Sequence, residues 1–257
     1  MEAELEALPE ALRKHVDLKL LEQVLIFTGQ LAGTLESSLV GFERPIKTQI
    51  SEGNKIVVTS RDEVGVPLYV NGERVLSLKL DYHCVWDSAR SFFAVDRSTF
   101  ELVMPEVTEP LLRYDYLRSP KSNIPCAHFN VHGHRDELIY TMMAAGFRYQ
   151  AKNRGKKLTK TNKVPRLSQL HLPTGGHRFR PCLEDLIQLV IFEFGVDTKE
   201  GWREAVQMGR MLWKDAQLAS AVRDNPGKAA EQLQRMGFRV EAPIDIPPLN
   251  EKKMAEY

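Results

Sequence analysis

Seven histidines occur in the 257 residues, and three of them crowd into Ala127–His134, which reads Ala-His-Phe-Asn-Val-His-Gly-His. On a β-strand, His128, Asn130, His132 and His134 share one face, and Phe129, Val131 and Gly133 the other. A solvated strand face ordinarily carries Thr, Lys, Glu or Gln, so a cluster of imidazoles predicts a pocket rather than packing. Imidazoles titrate near neutrality and serve as acid, base or metal ligand. The same alternation puts Lys79, Asp81 and His83 on one face of Ser77–Asp87. It puts Arg113 and Asp115 on one face of Leu111–Arg118. If the three polar faces coincide, they assemble an acid, a base and a cation for developing negative charge.

That chemistry fits phosphodiester cleavage. His128, His132 and His134 are the candidate acid–base groups, Arg113 the stabilising cation and Asp115 the orienting carboxylate. Lys79, His83 and Asn130 would contact substrate. A metal route is equally open: His132 and His134, two residues apart, with Asp115, could hold Zn or Mn. The cupin His-x-His pattern is not matched, because Glu137 is spaced differently and the surrounding glycines are missing.

The run Leu112-Arg113-Tyr114-Asp115, followed by a His-rich strand, resembles small bacterial toxin proteins of the TumE type over about residues 79–134. Tyr116-Leu117-Arg118 stands here where that family has an Asn-Ala-Pro-His-like segment. The resemblance implies a bacterial toxin–antitoxin or antiviral defence role and an antitoxin as protein partner.

Charge supplies a second argument. The net charge is only +1, yet residues 138–183 hold ten Lys or Arg and no acid, leaving 25 basic against 34 acidic residues elsewhere. An acid-free block of this kind predicts an anionic partner. Lys152, Arg154, Lys156, Lys157, Lys160 and Lys163 are candidate phosphate contacts, which position a nucleic acid without reading its sequence. Gly175, Gly176, His177, Arg178 and Arg180 precede a helix start and could cradle a phosphate, although no Walker motif follows. His171 reads as an isolated, packed or exposed histidine.

The elements that must position these groups follow from periodicity. Leu12 to Phe27 recurs at helical spacing, with Gly29 and Gly33 expected to break or bend the helix. From Ile46 to His134 the period is two. Asn71-Gly72 marks a hairpin, and Asp96-Arg97-Ser98 a second tight turn. Then come a short helix at Asp136–Ala145, a basic loop or ribbon, and a helix over Pro181–Phe194 with proline in its first turn. A helix with a capping box at Asp197 and Glu200 follows, then one opened by Asn225-Pro226. The tail from Glu241 reads as extended or disordered. The expected fold class is therefore α+β: an antiparallel sheet of about seven strands with N-terminal helices and a helical C-terminal layer. The expected segments are residues 1–40, 46–134, 135–240 and 241–257, forming one domain.

Cys84, Cys126 and Cys182 are odd in number and far apart, which argues against disulfides and zinc knuckles. The opening MEAELEALPE lacks an apolar signal core, and no apolar run approaches membrane length; a cytoplasmic protein without a membrane partner is expected. Three functions fit. The first is an RNase-like nuclease acting on RNA or DNA. The second is a non-catalytic module that binds nucleic acid or a protein partner. The third is a metal-dependent hydrolase of a small phosphorylated molecule.

Overall fold

Alternation along the strands decides the layering. In the strand Glu73–Trp86, Leu78, Leu80, Tyr82 and Cys84 are buried, while Lys79, Asp81 and His83 between them are not. One face of the sheet is thus apolar and the other polar, as expected for an antiparallel sheet covered on one side. The computed structural model describes residues 17–51, 55–87, 90–120, 124–133, 157, 159–164, 166–169, 171–174 and 177–256. The helix predicted at Asp136–Ala145 and the residues His134, Lys152, Arg154, Lys156, Gly175 and Gly176 lie outside them.

Among the described residues the strands are β1 (Ile46–Ser51), β2 (Lys55–Ser60), β3 (Val66–Val70), β4 (Glu73–Trp86), β5 (Phe93–Val103), β6 (Leu112–Leu117), β7 (Ala127–Val131) and the short β8 (Leu172–Pro173). They form one antiparallel sheet in the order β1-β2-β4-β5-β6-β7-β8, with β3 paired to the first half of β4. Asn71 and Gly72 both take positive φ in the β3–β4 turn, as the hairpin motif requires.

The apolar face is covered by α1 (Leu18–Ser38), α2 (Leu183–Phe194) and α3 (Trp202–Asp224), followed by α4 (Pro226–Arg235) and α5 (Glu251–Ala255). Leu20, Leu21, Val24, Phe27, Leu31 and Leu35, at helical spacing, are the buried stripe of α1. Phe27 meets Tyr82 edge-on at 5.2 Å, and an aromatic row continues through Phe100, Tyr114 and Phe129 on successive strands. Asp17 caps α1 through the Lys19 and Leu20 amides, and its other oxygen takes the Trp86 indole N–H at 2.6 Å, tying the helix start to the end of β4. That indole bond is the main cause holding the Asp17 carboxyl below its usual range. All three cysteines are buried free thiols, and no helix among the described residues is long and apolar enough to cross a membrane.

Several local expectations give way to tertiary contacts. Gly29 and Gly33 lie inside the uninterrupted α1, where packing of the buried stripe outweighs glycine's poor helix propensity. Asp96-Arg97-Ser98 is not a turn: β5 runs straight through it, and the register shift between His83 and Cys84 leaves Asp96 as the extra residue of a bulge. Lys157 and Thr159–Thr161 are helical, not ribbon or loop. Pro181 precedes α2, whose cap is Cys182. Asp197 does not cap α3, which starts at Trp202 after Gly201; its carboxylate instead takes the Asn71 and Gly72 amides, pinning the hairpin tip to the helical layer. The tail closes with α5, capped by Asn250.

Candidate functional site

The ladder registers line up the polar residues across four strands. Lys79, Glu101, Arg113 and Asn130 form one row, and Asp81, Thr99, Asp115 and His128 the next. His83 and Arg97 pair in a third. The three polar faces expected from alternation therefore coincide, and Arg113, Asp115, His128 and Asn130 share them.

Asp115 is the hub. Thr99 Oγ1 donates to its Oδ1 at 2.8 Å, Arg113 Nε stands 2.9 Å from its Oδ2, and His128 Nε2 lies 3.7 Å from the same oxygen. His128 Nδ1 faces the Pro125 carbonyl at 2.8 Å; a carbonyl only accepts, so Nδ1 carries the proton. Burial pushes the His128 imidazole below its ordinary pKa, and Arg113 adds to this. The Pro125 bond and Asp115 oppose it. In the neutral ring Nε2 therefore presents a lone pair toward Asp115, and protonation would turn that contact into an ion pair.

His128 does not reach solvent. It is 3% exposed, with the His171 ring edge-on at 4.7 Å. Asn130 Nδ2 donates to the Ser168 carbonyl at 2.7 Å and lies 3.2 Å from His171 Nδ1. The turn Leu167–Gln169, with His171, thus roofs the polar face of β7. β7 ends at Val131, three residues earlier than alternation suggested, although the His132 amide still donates to the Leu111 carbonyl. His132 Nδ1 pairs with Glu109 Oε1 at 3.2 Å, and Arg166 reaches the same oxygen at 3.3 Å. The His132 bond is the chief cause holding the Glu109 carboxyl below its usual range. His132 and Asp115 have separate partners, and no group of three His, Cys, Asp or Glu able to hold a metal exists among the described residues.

The open part of the polar face is a groove of about 410 Å³ above β1, β2, β4, β5 and β6. Arg97 and Arg113 lie 3.3 and 3.8 Å from Asp81 and Glu101, whereas Lys47 and Lys79 carry no ion pair among the described residues. His83 Nε2 stands 2.9 Å from Asp81 and 2.7 Å from Arg97. Of the basic block, Lys157, Lys160 and Lys163 are exposed.

His177, Arg178 and Arg180 lie on the opposite, helical side of the sheet. His177 is buried between Tyr116, at 3.0 Å, and Glu256, at 2.7 Å. Arg178 pairs with Asp224 at 2.6 Å, and Arg180 is buried against Tyr116. The α2 start is closed by Asp185, whose carboxylate takes the Cys182 amide. These three residues therefore do not form a surface phosphate cradle with the sheet groove. Sequence reasoning gave no site role to Thr99, Arg97, Glu109 or His171, whose places arise from strand register or from loops folding over β7. Glycine-free loops and a lone histidine offered no local signal for them.

Comparison with family models, with curated proteins and with solved structures returns no match.

Proposed function

We propose that this chain is a nucleic-acid-binding protein that lays a phosphate backbone along the polar face of its sheet. The observation that supports this most is that Lys79 and Arg113 stand in one cross-strand row, with Arg97 two rows along the same face and Lys47 beside them, in one open groove. Arg97 and Arg113 already face carboxylates, so a phosphate must exchange for these partners. Binding is then modest and salt-sensitive, and Lys47 and Lys79, which have no ion pair among the described residues, contribute most. Reversing both (Lys47→Glu with Lys79→Glu) is expected to weaken binding of a fluorescein-labelled RNA or DNA oligonucleotide by roughly tenfold or more. It should also flatten the slope of log K against log salt by about 2, one contact per lysine. Fluorescence anisotropy across a salt series measures both; an unchanged affinity, or binding indifferent to salt, removes this reading.

A second reading, an RNase-like phosphodiesterase, is favoured by one contact. His132, paired with Glu109 beside Arg166, stands just past the end of the histidine strand. His128 is withdrawn beneath His171 and stands 3.7 Å from Asp115. Incubating the wild-type chain with labelled RNA, with and without chelator, decides between the two. RNA that is bound but stays intact leaves the binding reading alone. Cleavage brings back His132 as its acid or base, and the toxin role implied by the TumE-like strand pair with it.

A further inference from the structure

Behind the sheet, between α1, α3 and the apolar face of β4–β6, lies a chamber of about 910 Å³, within the size range of small-molecule sites. Its lining is both apolar and charged. Ile26, Phe27, Phe93 and Leu212 line it together with five cations, Arg118, Arg178, Arg180, Arg223 and Lys253, and three carboxylates, Asp87, Glu184 and Asp224.

Arg180 is the decisive group. It is 7% exposed, and its guanidinium carbon lies 3.7 Å from the centre of the Tyr116 ring and 4.8 Å from that of Trp213. Stacking of this kind stabilises the cation but leaves its in-plane donors unused. Of the five N–H groups, one bond is made among the described residues, to the His177 carbonyl. Arg178 and His177 have their own carboxylates, Asp224 and Glu256. Glu184, in the same wall, is held by Thr34 at 3.4 Å and sits against Gly209, where any Cβ would meet it at 2.4 Å. No described carboxylate is within ion-pair distance of Arg180, so a buried cation faces the chamber without an anion. Such a charge is costly unless something pairs with it. Gln217 Oε1, in the same wall, is also buried without a hydrogen-bond partner among the described residues.

We propose that the chamber binds an amphipathic anion, a carboxylate or phosphate monoester with an apolar body, whose headgroup takes the free donors of Arg180. The body lies along Phe27, Phe93 and Leu212, and Arg178 and Lys253 add positive potential at the headgroup end. The site is on the opposite side of the sheet from the nucleic-acid groove and stands or falls independently of it.

The test is calorimetric titration of the full chain with decanoate, decyl phosphate, decanol and decyltrimethylammonium. One anion is expected to saturate a single site, at least tenfold more tightly than decanol, while the ammonium compound does not bind. The tighter of the two anions identifies the headgroup. Arg180→Met should weaken that anion by roughly ten- to hundredfold, the usual loss for a charged hydrogen bond. Ala216→Trp, which places a large ring in the chamber lining and leaves Arg180 intact, should abolish binding even if Arg180→Met fails to fold. The proposal is overturned if neither anion binds by about 1 mM, if decanol or the ammonium compound binds equally well, or if Ala216→Trp leaves affinity unchanged.

Discussion

Asp115→Ala is expected to destabilise the protein by about 1–2 kcal/mol, the cost of removing a largely buried charged acceptor. Asp115 is 9% exposed and accepts from Thr99 and Arg113 while His128 stands behind it. Alanine would leave the half-buried Thr99 hydroxyl without its acceptor and would remove the charge that faces the buried His128 ring. Arg113 is half-exposed and can turn to water, so its share is discounted. Asp115→Asn retains the shape and one acceptor and should recover part of the loss. Urea denaturation of the three proteins measures this. A loss below about 0.5 kcal/mol, the usual range for surface changes, would mean that the row Thr99–Asp115–His128 is not a structural unit. Nucleic-acid binding should not fall in the same variant, since Arg113 would lose a carboxylate that a phosphate must otherwise displace.

The second expected result is a loss of stability in mild acid. His128 and His177 both have imidazole pKa values lowered in the fold, burial being the largest cause in each. The unfolded chain titrates near the ordinary value of 6.5, so below it the unfolded state binds more protons than the folded one. Stability from these two groups is therefore complete above pH 6.5 and is lost as pH falls toward their folded values. Each contributes a slope of at most about 1.4 kcal/mol per pH unit. The surroundings moderate this: Asp115 and the Pro125 carbonyl favour protonated His128 against Arg113, and Glu256 favours protonated His177 against Lys253 and Arg178. Glu256, whose carboxyl is lowered in the fold, adds a further loss in the same direction below its ordinary value of 4.5. Urea midpoints at pH 8, 7, 6 and 5 should fall only in the acidic half of the series. His128→Gln and His177→Gln should each flatten the fall. A midpoint that is level or rises in acid would show that neither imidazole is held neutral by burial.

Much of this architecture is local in origin and so was legible in the residues. Leu78, Leu80, Tyr82 and Cys84 alternate with Lys79, Asp81 and His83 because successive side chains of a strand point to opposite faces. That alone separated the core face from the polar one. Asn71-Gly72 and Asn225-Pro226 act through their own backbone preferences, and both stand where such preferences put them. The α+β class, the buried stripe of α1 and the shared face of Arg113, Asp115 and His128 follow from the same short-range rules.

What only the tertiary structure decided depends on partners far away in the chain. Register placed Asp115 opposite His128 and beside Thr99, and shifted Asp96 into a bulge where a turn was expected. Asp197 has the spacing of a helix cap, but the Asn71-Gly72 amides lie within reach and take its carboxylate instead. Leu167–Gln169 and His171, some forty residues beyond β7, cover its polar face and leave His128 buried. Arg180 looked like a surface phosphate contact because its neighbours in sequence are glycine, histidine and arginine. Its actual environment is made by Tyr116 from β6 and Trp213 from α3. Burial is a sum over non-local neighbours, so a basic motif carries no local sign of which side of the sheet it will occupy.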